Sequence, residues 1–175
     1  MAMGIFELFG LGGAKKPETA DVAETLHKIT EAIDKMEPEQ ARYVASFAFM
    51  LGRVAHADLE ISKEETREME RIVETVGGLP VEQAILVVQI AKSQNKLFGG
   101  TDNYSISQEF EKRATRRQKL AMLNCLFAVS SSDKSISTIE DNEIRKIASE
   151  LRLEHGDFIG ARSAFREHLE VLKRK

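Results

Sequence analysis

The chain has 175 residues, of which 42% are hydrophobic, and its formal net charge at pH 7 is −3. This length fits a single domain with a sizeable core, and the charge gives no general attraction to nucleic acid. The lack of Trp and the scarcity of Tyr disfavour a platform for stacking bases. The single cysteine, Cys125, excludes an internal disulfide and predicts a packed thiol in a cytoplasmic, reducing compartment.

The first 20 residues are predicted to be a flexible lead-in to a domain that covers residues 21–175. They contain a short apolar stretch, Met3 to Leu11, which is followed by Gly12, Gly13 and Pro17. The favoured interpretation of the stretch is a frayed tail or a short helix on its own domain, and weak docking on a membrane or partner is the alternative. No apolar run in the chain reaches the roughly 18 residues that would span a bilayer.

The remaining segments show helical spacing of apolar residues, with Pro or polar caps at several starts and Gly at one end. No segment requires a strand. The predicted fold is an all-α, single-domain helical bundle of about seven or eight helices. The predicted helices span residues 21–36, 38–56, 63–76, 80–95, 107–113, 115–130, 138–153 and 157–175.

One pattern of eight residues occurs twice. Residues 58–65 and residues 133–140 both read Asp-x-x-Ile-Ser-x-x-Glu, at an offset of 75. Its Ser-x-x-Glu part is a capping box, in which Ser62 and Glu65 of the first copy exchange hydrogen bonds and begin a helix. Apolar positions on both sides of the two copies also match at the same offset. The repeat predicts two pseudo-symmetric helix-turn-helix units.

This repeated pattern, after an Ala-rich helix, resembles the TerB-like family of tellurite-resistance proteins, whose members commonly show Ala-x-x-Asp-Gly-x-Ile-x-x-x-Glu. The resemblance covers roughly residues 40–170. It implies a helical, non-enzymatic protein of tellurite resistance or stress response, with protein partners near a membrane-associated complex. Leu59 and Lys134 stand where the family often has Gly. Both turns must therefore form without the residue that most easily adopts a positive φ.

The acidic residues of the two turns are candidate ligands for a divalent cation. Ligands that offer only oxygen suit Ca²⁺, Mg²⁺ or Mn²⁺ rather than Zn²⁺, and the resemblance also implies metal binding by such carboxylates. Neither turn is an EF-hand, because Val54 and His56, and likewise Val129 and Ser131, would occupy its first two ligand positions. A site therefore requires both units to converge. The candidate ligands are Asp58, Glu60, Glu65, Glu68, Asp133, Glu140 and Glu143.

Capping alone also explains Glu65 and Glu140, and an Asp in a turn bonds nearby amides without a metal. A metal-free helical interaction scaffold is therefore the alternative function. A third hypothesis is a hydrolase that uses His56 with Asp58 or a metal-bound water. It is disfavoured because a His at a helix end is typical of a C-cap, so we predict no enzymatic activity.

A group of cations follows the longest predicted loop. These five residues, here called the basic cluster, could meet an acidic partner, a phosphate or nucleic acid. The favoured interpretation is a solvated helix face that forms salt bridges with the acidic segment 58–74. The basic cluster consists of Lys112, Arg113, Arg116, Arg117 and Lys119.

Overall fold

The computed structural model describes residues 20–55, 61–93 and 103–173 of the chain. Within these ranges the chain forms nine α-helices and two short 3-10 helices, with no β-strand, which confirms the predicted all-α bundle. The α-helices are α1 (Ala20–Asp34), α2 (Pro38–Ala55), α3 (Lys63–Thr75), α4 (Val81–Lys92), α5 (Asn103–Arg113), α6 (Arg116–Ser130), α7 (Thr138–Glu150), α8 (His155–Ser163) and α9 (Glu170–Lys173).

Helix α2 lies at the centre of the bundle, as its wide apolar face predicts. It packs against α4, α5, α6 and α7, and every residue from Tyr43 to Val54 is buried. Aromatic rings join it to α5, where Tyr43 stacks on Phe110 at a centroid distance of 5.2 Å. Burial of this apolar surface is the main favourable term in assembly of the bundle. The ends of the surrounding helices are therefore positioned by α2.

Two side-chain contacts show how α4 runs relative to its neighbours. Gln40, near the start of α2, donates to Gln83, near the start of α4, at 2.7 Å. Lys92, at the end of α4, donates to Thr66, near the start of α3, at 3.2 Å. Helix α4 is therefore parallel to α2 and antiparallel to α3. This arrangement places the end of α2 and the start of α3 at the same end of the bundle.

Two glycines end α3, as the sequence predicts. Gly78 has a φ of +77°, the left-handed conformation that commonly ends a helix. Gly77 lies against α2, and a Cβ atom there would collide with the Val73 carbonyl oxygen and approach the Phe47 ring. The pair therefore combines a change of chain direction with a close helix contact that a larger residue would prevent.

The turn between α6 and α7 contains a strained residue. A 3-10 helix, Ser131–Asp133, follows α6, and Lys134 then adopts a φ of +68°. A non-glycine residue in this left-handed conformation costs roughly 1–2 kcal/mol. Lys134 is a position where the TerB-like pattern often has Gly, so the backbone geometry explains that preference. Its counterpart, Leu59, lies outside the described residues.

The prediction of one continuous helix over residues 157–175 is wrong. The segment forms α8, a 3-10 helix and the short α9. Between them the chain crosses the second turn: the Ile136 amide donates to the His168 carbonyl at 2.6 Å, and the Glu170 amide donates to the Ile136 carbonyl at 3.0 Å. The crossing buries Ile136 and Leu169 to 1% exposure each. A continuous helix would lose this burial.

Several predictions lie outside what the structure describes. The apolar stretch from Met3 to Leu11 falls there, as does most of the predicted loop over 98–104. The division into a lead-in and a domain, and the pseudo-symmetry of the two units, stay predictions. No helix within the described ranges is both long and apolar enough to cross a membrane.

Candidate functional site

Both Ser-x-x-Glu patterns form the predicted capping boxes. At the start of α3, the Glu65 amide donates to the Ser62 hydroxyl at 3.1 Å, and the Ser62 amide donates to Oε2 of Glu65 at 2.8 Å. At the start of α7, Ser137 and Glu140 form the same two hydrogen bonds at the same distances. Within the described ranges, no recorded hydrogen bond uses Oε1 of either Glu. Each cap therefore leaves one carboxylate oxygen available.

The two capped helix starts open onto one pocket. It lies between the ends of α2 and α6 and the starts of α3 and α7, and its volume is about 450 Å³. We call it the acidic pocket. Four carboxylates line it: Glu64, Glu65, Glu68 and Glu140. The rest of its described lining is formed by the apolar Ala55, Ile61, Met69 and Val129 and by the hydroxyl residues Ser130 and Ser132.

Equivalent residues of the two repeats meet in the acidic pocket. Glu65 and Glu140 occupy the same place in the two patterns, and Ala55 and Ser130 are also separated by the offset of 75. All four line the pocket. The capping carboxylates of both patterns therefore line the same pocket.

The electrostatics of the acidic pocket favour a cation. No Lys, Arg or His occurs among its described lining residues. The amide of Ser62 lowers the pKa of Glu65 by hydrogen bonding to its carboxylate. Arg71 donates to both oxygens of Glu68, at 2.6 and 3.0 Å, and these hydrogen bonds lower the pKa of Glu68. Both carboxylates are therefore ionised at neutral pH, although Arg71 neutralises part of the charge.

Ser130 lies in the wall of the acidic pocket and carries a buried hydroxyl group. It is 4% exposed, and its Oγ has no hydrogen-bond partner among the described residues. The next two serines differ, because the hydroxyl of Ser131 donates to Ala128 and that of Ser132 donates to Val129. A buried polar group without a partner costs roughly 1–3 kcal/mol. The Oγ of Ser130 is itself inaccessible to solvent, so this unsatisfied group lies behind the wall of the pocket.

Glu143, a predicted ligand, contacts an arginine instead of lining the pocket. Nε and Nη2 of Arg53 donate to Oε1 of Glu143 at 2.9 and 2.5 Å, and Nη1 donates to Glu150 at 2.8 Å. The Arg53 side chain is 3% exposed, so this is a buried ion triad between α2 and α7. The sequence analysis missed Arg53. The sequence feature that could have revealed Arg53 is the presence of a charged residue within the apolar run of α2.

The remaining predicted ligands cannot be placed. Asp58 and Glu60 lie outside the described residues, as does His56 of the hydrolase hypothesis, and only the backbone of Asp133 is described. Among residues 20–55, 61–93 and 103–173, no three side chains of His, Cys, Asp or Glu form a group that could hold a metal ion. The carboxylates of the acidic pocket are therefore spread around its wall.

The predicted partner of the basic cluster is wrong. Three of its cations form salt bridges, but with helices other than the acidic segment 58–74. Their partners come from α2, α5 and α8, which pack closer to the cluster. The pairs are Arg113 with Glu39 and Glu109, Arg116 with Asp157, and Lys119 with Glu111.

Cys125 is the packed thiol that the sequence predicts. It is fully buried, and burial raises the pKa of its thiol to about 12. The thiol is therefore protonated at neutral pH and is a poor nucleophile.

An all-α bundle with an acidic pocket between two capped turns is the class of protein that these features define. Residues 44–163 match the sequence model of a family described as tellurite resistance protein TerB. The match covers more than half of the chain and includes both turns, so the chain belongs to the TerB family. No curated protein and no solved structure matches it significantly.

Proposed function

We propose that this TerB-family protein is a non-enzymatic protein that binds a divalent cation, Ca²⁺, Mg²⁺ or Mn²⁺, in the acidic pocket. The observation that supports the proposal is the meeting of Glu65 and Glu140, from separate repeats, in one pocket with no described basic lining residue. Carboxylate and hydroxyl oxygens are the ligands that these hard cations take.

The oxygen donors in the acidic pocket are of the chemical type that such an ion binds. Glu65 and Glu140 each keep Oε1 available beside their capping hydrogen bonds. Since the described carboxylates do not form a complete ligand group, the ion also needs oxygens from the turns. Asp58, Glu60 and Asp133 are the proposed sources.

Two of the predicted ligands are not proposed to bind the ion directly. Glu68 is held by Arg71, and Glu143 is held by Arg53. An oxygen already paired with a guanidinium is a weaker ligand, so Glu68 contributes only charge to the wall of the acidic pocket, and Glu143 joins α7 to α2. An ion bound by both turns would link α3 to α7 and stabilise the folded protein.

The family description suggests a biological setting for this site. We infer a role in tellurite resistance or a related stress response, in the cytoplasm, with a protein partner in a membrane-associated complex. In that setting the ion fixes the relative position of the two turns, and the partner binds the surface around them.

Calorimetric titration of the metal-free full chain with Ca²⁺, Mg²⁺ and Mn²⁺ tests the proposal. We expect saturable binding at millimolar ion or below, with a rise in Tm. Changing Asp58 and Asp133 to Asn should abolish both effects. The matched control is Glu74→Gln with Glu82→Gln, because it removes two exposed charges outside the acidic pocket.

A metal-free interaction scaffold is the second candidate. It is favoured by the capping boxes, which give Glu65 and Glu140 a structural role without an ion. If millimolar ion produces neither heat nor a change in Tm, the cation proposal fails and the scaffold remains.

A further inference from the structure

A group of exposed apolar residues lies where α3 ends and α4 begins. Val81 and Ile85 are one turn apart on α4 and are 50% and 41% exposed, and Val76, which follows α3, is 37% exposed. Only residues 77–80 separate Val76 from Val81. We call these three residues the α3–α4 patch. Single exposed apolar residues are ordinary on a protein surface, but a group of neighbouring ones indicates an interaction site.

The chain itself contains a segment whose chemistry matches the α3–α4 patch. The stretch from Met3 to Leu11 has six large apolar side chains and one charged residue, so its transfer from water to an apolar surface is favourable. It is followed by Lys15 and Lys16. Glu74 and Glu82, which are exposed, lie in the sequence beside the residues of the patch. The charges that flank the stretch and the patch are therefore opposite in sign.

The position of α1 allows the stretch to reach the α3–α4 patch. Three residues join Asp34 of α1 to Pro38 of α2, so α1 ends where α2 and α4 begin, and it starts at the opposite end of the bundle. Helix α1 packs on α4, which has 12 residues and is about 18 Å long. The eight residues between Leu11 and Ala20 can span roughly 28 Å. This length is enough to return along α4 to the patch.

We propose that the stretch from Met3 to Leu11 docks on the α3–α4 patch of its own chain, with its apolar side chains against Val76, Val81 and Ile85. The short link makes docking intramolecular, at an effective concentration of about millimolar, so a small apolar contact is sufficient. While it is docked, the stretch is not free to enter a membrane or to bind a partner. This inference does not depend on the cation site of the proposed function.

The test is paramagnetic broadening in amide NMR spectra of the full chain, with a nitroxide attached through Gly13→Cys. The label then lies two residues beyond the stretch. Because the native thiol of Cys125 is fully buried, labelling is confined to the new thiol. We expect the amide signals of Val81 and Ile85 to lose most of their intensity.

A pair of double variants tests the part played by the α3–α4 patch. Val81→Glu with Ile85→Glu places two charges on the patch and should remove the broadening along α4. Ile139→Glu with Leu172→Glu is the matched control, because it places the same charges on exposed apolar residues of other helices. This control should leave the broadening unchanged.

A second variant keeps the test decisive if the substitutions on α4 disturb folding. Phe6→Ser with Phe9→Ser changes only the stretch, and the broadening along α4 should again be lost.

Two comparisons identify what covers the patch. A mixture of spin-labelled chains without isotope enrichment and enriched chains without the label should show no broadening, because the contact lies within one chain. Vesicles of phosphatidylcholine should leave the broadening of the labelled protein unchanged, because the stretch is already docked.

The inference is overturned if the signals of Val81 and Ile85 keep their intensity, or if their broadening survives in the variants of the patch and of the stretch. Broadening in the mixed sample would assign the patch to a second copy of the chain. Loss of broadening with vesicles would assign the stretch to a lipid surface. Both of these outcomes also overturn the inference.

Discussion

Ser130 carries a buried hydroxyl group without a described hydrogen-bond partner beside the acidic pocket. Its buried Oγ has no described partner, so Ser130→Ala removes an unsatisfied group and places a better helix former at the end of α6. We expect the free protein to gain about 1 kcal/mol in free energy of unfolding. The same change should leave cation affinity unchanged, because the buried Oγ of Ser130 is not accessible from the pocket. Urea unfolding and calorimetry measure the two effects.

Ser131→Ala is the matched control for that prediction. The Ser131 hydroxyl donates to the Ala128 carbonyl at 3.0 Å, so its removal should give no gain in stability and no change in cation affinity. A loss of stability in Ser130→Ala would show that its hydroxyl already has a partner, and the argument from Ser130 would fail.

Replacing Lys134 with glycine should stabilise the folded protein. Its φ of +68° costs an ordinary residue roughly 1–2 kcal/mol, and the added freedom of glycine in the unfolded chain returns part of this. We expect Lys134→Gly to gain about 0.5–1 kcal/mol in thermal or urea unfolding. Lys146→Gly, in the middle of α7, should instead lose about 1 kcal/mol. A loss at both positions would contradict the strained turn.

At individual positions, the sequence predicted the contacts that depend only on residues close together in the chain. Ser62 with Glu65, and Ser137 with Glu140, cap their helices as expected, because a capping box needs only residues three apart in the chain. Ser130 could not be singled out in this way. Its missing hydrogen bond and its place in the acidic pocket depend on helices that are distant in sequence.

The connection between α2 and α7 depends on a buried ion triad. Arg53→Met leaves Glu143 and Glu150 without their cation, and the Glu150 side chain is only 9% exposed. Removing one partner of a buried pair is strongly destabilising, so we expect a loss of about 3 kcal/mol in urea unfolding. Adding Glu150→Gln to Arg53→Met should recover part of that loss.

Arg71→Met provides the comparison for the triad. Arg71 pairs with Glu68, and their side chains are 60% and 45% exposed, so the loss should stay below about 1 kcal/mol. Equal effects of the two substitutions would mean that the burial of Arg53 does not matter for stability.

Helix boundaries were predicted well where Pro, Gly or a cap marks them. The observed α2, Pro38–Ala55, agrees with its prediction over the described residues, and α3 ends where Gly77 and Gly78 indicate. The final segment was predicted wrongly, because its apolar spacing reads as one helix. The pairing of Leu169 with Ile136, which breaks it, is a long-range contact that no local pattern reveals.

At the scale of the whole molecule, the sequence predicted an all-α bundle with two similar turns, 75 residues apart. The capping carboxylates of both turns, Glu65 and Glu140, line the acidic pocket, while the pseudo-symmetry of the two units stays a prediction. The choice of ligands was less predictable. Glu143 follows the second turn as Glu68 follows the first, but the packing of α2 against α7 brings Arg53 to Glu143 and gives it a structural partner.

The central claim is that one cation site is shared by both turns. Paramagnetic broadening by Mn²⁺ in amide NMR spectra of the full chain tests this claim most directly. At substoichiometric Mn²⁺, the amide signals of Glu65 and Glu140 should broaden together and to a similar extent, and excess Mg²⁺ should reverse the effect. Broadening at only one of the two turns, or first at exposed acids such as Glu74 and Glu82, would contradict a shared site.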